Sequence, residues 1–158
     1  MTVKFCRIDD RLIHGQVVTT WLNVYKIEQV IIVNETVAKD KIQSKVLEMS
    51  IPSNVKLHIF SPDKFLRVTK KAPITRSTML LFTNPFDVEK LIQNGFEIDK
   101  LNVGGMRGND QRKQYTKAVF LTNDEKTAFE RLIAQGVDVE IQMIPTNPAE
   151  KMSEVIAK

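Results

Sequence analysis

A chain of 158 residues, 42% hydrophobic and 27% charged, has the length of one domain with a real core and a balance that excludes disordered and fibrous classes. Its first residues, "MTVKFCRIDD", interrupt every short apolar run with charge, so no export-signal core is present, and nowhere is there a run near the roughly 18 apolar residues of a membrane span. The net charge of +4 is spread along the chain without the interleaved aromatics of a nucleic-acid platform, and the single cysteine, Cys6, excludes an intrachain disulfide and fits a reducing cytosol.

In chain order, "VKFCRI" (3–8), "EQVIIVN" (28–34), "VKLHIF" (55–60), "STMLLFT" (77–83), "DKLNVGG" (99–105), "KAVFL" (117–121) and "VDVEIQMI" (137–144) predict strands. Several are apolar almost throughout, as a parallel strand covered on both faces must be; the last alternates and is expected at an edge. Cys6 reads as a buried structural thiol, and His58 as a structural, buried histidine of its strand. Between the strands lie amphipathic stretches. "SPDKFLRV" and "NPFDVEKLIQNG" set a capping residue, Ser61 or Asn84, ahead of a proline at the first helical position, and Asn147-Pro148 predicts the same start for "AEKMSEVIAK". Gly95 and Gly136 follow helix-like endings where a left-handed residue is wanted. Ala128, Phe129, Leu132 and Ile133 share one helical face.

This alternation has no repeats or linkers. The expected fold is α/β, a single open, mostly parallel twisted sheet of about seven strands with helices on both faces, forming one domain over 1–158. In such sheets the working residues gather at the carboxyl ends of the strands.

"RIDDRLIHGQVVTTWL" therefore places Asp9 to Gly15 in a loop at that edge, with His14 just before a helix. An imidazole there faces free backbone amides and the positive end of a helix dipole, a setting suited to an anion. A phosphoryl group on His14 would meet amides near Gly15 and Gln16, Gly15 would let the backbone approach, and Arg11 would offer a two-point fork. Asp9 would hold Arg11 or one ring nitrogen, leaving the other as nucleophile. The plain alternative is a structural histidine beside a surface Asp9–Arg11 ion pair. Two distant histidines and one cysteine give no metal-ligand spacing, and no cofactor is called for.

A second loop, "NVGGMRGNDQR" (102–112), sits at the end of another predicted strand. Gly104, Gly105, Arg107 and Arg112 read either as a wall of the same cleft or as a flexible glycine turn. It has neither the closing Lys-Ser/Thr of a P-loop nor dinucleotide-fingerprint spacing.

The run Arg7-Ile8-Asp9-x-Arg11-Leu12-Ile13-His14-Gly15-Gln16-Val17 resembles the active loop of the IIB components of the mannose/fructose/sorbose family of the bacterial phosphoenolpyruvate-dependent sugar phosphotransferase system. "VIIVNETVAKD", "LLFTNP", "LNVGGM" and "PTNP" follow in the family's order, so the resemblance covers essentially the whole chain. It implies a cytoplasmic phosphocarrier associating peripherally with the membrane. His14 would accept a phosphoryl group, typically on Nδ1, from a phosphohistidine of the IIA component. A sugar entering through the membrane IIC and IID subunits would be the final acceptor, with Asp9 and Arg11 shaping the loop. With nothing ahead of the first strand, the donor is expected to be a separate polypeptide. The basic runs 67–76 and 107–117 are then expected to steer the anionic donor. The rivals are a histidine phosphatase or mutase, which needs a second catalytic histidine, and a nucleic-acid-binding or regulatory module using the basic surface; neither suits "LIHGQ", and no nucleic-acid partner is expected.

Overall fold

The structure, a computed structural model, describes residues 2–158. Its elements are β1 (Val3–Asp9), α1 (Gly15–Val24), β2 (Gln29–Val33), α2 (Glu35–Lys39), α3 (Lys41–Ser50), β3 (Lys56–Phe60), α4 (Pro62–Lys71), β4 (Thr78–Phe82), α5 (Pro85–Gln93), β5 (Lys100–Gly105), β6 (Lys113–Gln114), β7 (Phe120–Leu121), α6 (Asn123–Ala134), β8 (Asp138–Ile141), β9 (Glu150–Lys151) and α7 (Met152–Ile156). Seven strands form one sheet in the order β3-β2-β4-β1-β5-β8-β9, parallel except at β9.

The apolar runs explain the middle of this sheet. β2 and β4 are buried at every position because helices cover both of their faces. Trp21, Leu22, Val37 and Leu47, from α1, α2 and α3, close one face over Val30, Ile32, Met79 and Leu81. On the other face Phe65, Val88, Leu91, Phe129 and Leu132, from α4, α5 and α6, pack on Ile8, Leu80, Phe82 and Val103. The chain leaves β1 toward β2 and leaves β5 toward β8, so these neighbouring strands diverge into opposite halves of the fold. A crevice opens at their carboxyl ends, the switch point where such sheets place their sites.

The local signals hold where the chemistry is local. Ser61 and Asn84 accept hydrogen bonds from the amides of Lys64 and Asp87, each with proline opening the helix. Gly95 and Gly136 carry φ of 92° and 96° after α5 and α6. α6 opens with a reciprocal capping box between Thr122 and Glu125. Asn34 and Asp40 cap the short α2 and α3 in the stretch between β2 and β3.

Strand pairing moves several expectations. Of 117–121 only Phe120 and Leu121 are strand, and they pair antiparallel with β6 outside the main sheet, because the chain after Gly105 loops out and returns beside Met106. The seventh sheet strand is Glu150–Lys151, which lies antiparallel on β8. Asn147-Pro148 therefore does not start a helix; the Asn147 amide closes a turn onto Ile144, and α7 begins at Met152. β8 ends at Ile141 and is sheltered by β9, so the sheet's edges are β9 and β3. His58 is exposed on that β3 edge, stacked on Phe60, and is not buried. The part of its ring that lies against the protein is desolvated, and with Lys56 and Arg76 nearby this holds its pKa below the ordinary histidine value. Cys6 is enclosed as expected, and burial, assisted by Asp99, pushes its thiol pKa up to about 12.

Candidate active site

At the carboxyl end of β1 the backbone takes two left-handed steps within four residues, Leu12 at φ 59° and Gly15 at φ 51°. For leucine this conformation costs about 1–2 kcal/mol. The cost is offset because the turn drives Leu12 and Ile13 into the core under α1. His14, between the two steps, is thereby held out as the N-cap of α1. No side chain caps that helix, so its first amides face the same space as the imidazole.

Asp9, the last residue of β1 and 1% exposed, organises the group. Its Oδ1 accepts from the Arg11 amide at 3.1 Å and from Arg11 Nε at 3.4 Å; its Oδ2 accepts from Arg7 at 3.1 Å and lies 3.2 Å from His14 Nε2. Three of the four partners are obligatory donors, so the carboxylate acts as an acceptor and the proton of the neutral imidazole belongs on Nε2. Nδ1 then carries the lone pair. Arg11 is only partly covered, leaving guanidinium nitrogens open to a ligand.

Arg7 has no solvent exposure. Besides Asp9 it donates to Asn102 Oδ1 at 2.6 Å and to the carbonyls of Gln142 and Met143 at 3.2 and 3.1 Å, with its guanidinium carbon 5.5 Å from the centre of the Trp21 ring. Trp21 Nε1 donates to the same Met143 carbonyl at 2.9 Å. Burial pulls the Arg7 pKa below its ordinary value, and Asp9 works against that pull. Neither Arg7 nor the neighbouring carboxylate Asp10 was singled out from sequence as a site residue. The available signal was an arginine inside an apolar central strand, which burial obliges to find partners.

The 102–112 segment is not a flexible glycine turn. Gly104 and Gly105 lie within β5, and neither has a left-handed backbone. They are small because of their neighbours: a Cβ on Gly104 would overlap the Arg7 guanidinium, and one on Gly105 would come within 3.3 Å of Arg11. Arg107 and Arg112 gather on Asp10. Its Oδ2 accepts from the Arg107 amide at 2.9 Å and from Arg112 at 3.2 Å, while its Oδ1 lies 3.3 Å from Arg107 Nε. Arg112 also grips Glu125 through two bonds of 2.9 and 2.7 Å. Burial works to lower the Arg112 pKa, but Glu125 and Asp10 outweigh it and leave it raised. Gln16 is exposed in the first turn of α1 beside Gly15.

His14, Asp9, Arg11, Gly104 and Gly105 thus come together, and Arg107 and Arg112 form a braced wall. The basic run 67–76 does not join them. It occupies the end of α4 and the approach to β4, which lead to the amino edge of the sheet, opposite His14. Among the described residues no group of three or more His, Cys, Asp or Glu side chains could hold a metal ion, and no helix is long and apolar enough to cross a membrane.

Residues 3–158 match the family model described as the PTS system sorbose subfamily IIB component. The mannose-specific EIIAB component of Escherichia coli K12 is 37% identical over all of this chain, which spans 49% of that relative's length. The fructose-specific EIIB component of Bacillus subtilis is 36% identical, covering 99% of this chain and 96% of that one. The crystal structure of the IIBSor domain of the sorbose permease from Klebsiella pneumoniae superposes with a TM-score of 0.94 at 35% identity, over 99% of this chain and 97% of that one.

Proposed function

This chain belongs to the sorbose-subfamily IIB components of the sugar phosphotransferase system, and we propose that it is a phosphocarrier in which Nδ1 of His14 takes a phosphoryl group from a phosphohistidine of a IIA component and yields it to a sugar. The observation that carries this reading is the pairing of His14 Nε2 with Asp9 at 3.2 Å beside an uncapped helix start. That pairing leaves one nitrogen with a lone pair, aimed from a loop at the carboxyl edge of the sheet.

The step is an in-line displacement. The His14 Nδ1 lone pair forms a bond to phosphorus as the bond from phosphorus to the donor's imidazole nitrogen breaks, and that electron pair returns to the donor ring. No proton need move, because Nε2 keeps its hydrogen throughout. The phosphorylated ring acquires positive character, which Asp9 at Nε2 opposes. Arg11 and the first amides of α1 spread the charge on the phosphoryl oxygens. Sugars of the mannose, fructose, sorbose and amino-sugar class are the acceptor proposed, reached through IIC and IID membrane subunits, with the protein itself in the cytoplasm at the membrane's inner face.

A phosphatase-type mechanism would need a second histidine at the site. His58 lies on β3, separated from β1 by β2 and β4. The deciding experiment incubates the protein with phosphoenolpyruvate, the general phosphotransferase proteins and a IIA partner, then measures intact mass at neutral to alkaline pH. One acid-labile phosphoryl adduct, absent from His14→Ala, is expected. No adduct across a panel of active IIA donors would overturn the reading.

A further inference from the structure

We propose that Arg7 is a positioning residue that fixes the reactive tautomer of His14 through Asp9, an inference that rests on the phosphocarrier reading above. A buried carboxylate can set the tautomer of an imidazole only if it remains an acceptor and does not rotate. Asp9 is almost wholly buried, and its Oδ2 is shared between Arg7 and His14 Nε2 at 3.1 and 3.2 Å. Arg7 therefore supplies the opposite charge that a buried carboxylate requires and fills the direction left beside the imidazole. Without it, Asp9 would keep only Arg11, which is one-third exposed and joined through the loop itself.

Arg7 is itself held on four sides. Asn102, the Gln142 and Met143 carbonyls and the face of Trp21 fix its fork, and the absence of a side chain at Gly104 makes the space it occupies. These groups come from β5, the segment after β8 and α1, so the orientation of one imidazole nitrogen is referred to three separate parts of the fold. Trp21 ties the arrangement to the reacting loop, since the helix that bears it begins directly after His14 and its indole shares the Met143 carbonyl with Arg7. Arg7 acts through Asp9 and touches no reacting atom.

The test reads the tautomer directly. Long-range proton–nitrogen correlation spectra of the nitrogen-15-labelled full chain resolve both imidazoles, with His58 on the far edge as an internal reference. In the wild type His14 is expected as a single form protonated at Nε2. Arg7→Met should give a mixture of both tautomers and lower kcat for phosphoryl acceptance from a phosphorylated IIA protein about 10-fold or more with KM unchanged, the scale of loss when the orienting partner of a reacting histidine is removed. Arg7→Lys should recover part of both signals. Gly104→Ala, which displaces the guanidinium while keeping the arginine, should resemble Arg7→Met and serves if that variant does not fold. A folded Arg7→Met or Gly104→Ala that retains a single Nε2-protonated His14 would overturn the proposal. So would loss of fold in all three variants, which would make Arg7 purely structural. If the wild type accepts no phosphoryl group, the phosphocarrier reading fails, while the spectra still decide whether Arg7 orients His14.

Discussion

Asp9 and Asp10 are adjacent in sequence and point into two loops that use the same residue types to opposite ends. Asp9 gathers Arg7, Arg11 and His14, and leaves Arg11 and the first amides of α1 open toward solvent. Asp10 gathers Arg107 and Arg112, and Glu125 and the Arg107 carbonyl take up the rest of the Arg112 fork. In the first loop donor capacity is left over for an anion beside the imidazole, whereas in the second Arg112 spends its donors on Asp10, Glu125 and the Arg107 carbonyl, and Arg107 stays largely exposed. The number of basic residues near a crevice therefore says little about where phosphate binds; their unpaired donors decide it.

The comparison can be broken most sharply at Asp9. Asp9→Asn presents an amide that can donate to the ring and removes the counter-charge of Arg7; phosphoryl acceptance should fall about 10²- to 10⁴-fold, the range seen when a histidine's orienting carboxylate is lost. Steady-state transfer from a phosphorylated IIA protein measures this, and a loss under tenfold would contradict the role given to Asp9. Arg11→Ala should come next, slowing transfer about 10²-fold as one stabilising donor is removed. Its urea midpoint should change little, because the side chain is a third exposed.

The second loop should answer in stability before rate. Arg112→Ala leaves Glu125, 5% exposed, and Asp10 short of their partner, and should cost about 1–3 kcal/mol in urea unfolding with only a few-fold loss of transfer. A larger effect on rate than on stability would show that this wall contacts phosphate after all. Arg107→Ala, at a side chain 68% exposed, should stay within about 0.5 kcal/mol of wild type.

Cys6 gives a control remote from both loops. Its thiol pKa is raised to about 12, so the folded state holds the proton longer than the unfolded chain. Its share of stability is therefore intact below the ordinary thiol value of 9.0 and is lost as pH rises from there toward about 12. Cys6→Ser should shrink that alkaline decline in a pH series of unfolding midpoints, and native protein at pH 8 should resist thiol reagents.

Salt separates the basic regions again. The run 67–76 leads away from the His14 edge, at the amino ends of the strands. Steering of the proposed anionic donor would fall to the carboxyl edge, where Arg11 and the exposed Arg107 lie. Charge reversal at Lys70 or Lys71 should leave the salt dependence of transfer nearly unchanged, since surface charges beyond about 8–10 Å are screened at physiological ionic strength.

Much of this was legible in one dimension because the signals act over a few residues. The capping at Ser61 and Asn84, the glycine stops at 95 and 136, the apolar central strands and the placing of His14 ahead of α1 all follow from contacts inside a single turn or from burial of a whole run. The family motif in 7–17 identified Asp9, Arg11 and His14 as a set, and they meet. The misplacements fall where two- to five-residue segments owe their state to a neighbouring strand rather than to their own pattern. Glu150–Lys151 are strand because β8 offers a free edge, and His58 is exposed because β3 has no neighbour on its outer side.

The sequence by itself determined an α/β fold, its central apolar strands, the capped starts of α4 and α5 and the loop that carries the imidazole, since hydrophobic period, caps and motif are local properties. What only the tertiary structure supplies is the partner that holds that imidazole, Asp9 at 3.2 Å from Nε2. From Asp9 the contacts run to Arg7, and from Arg7 to Asn102, Gln142 and Met143, and a hydrogen bond between residues 95 to 136 positions apart is set by how strands lie side by side, which no local pattern records.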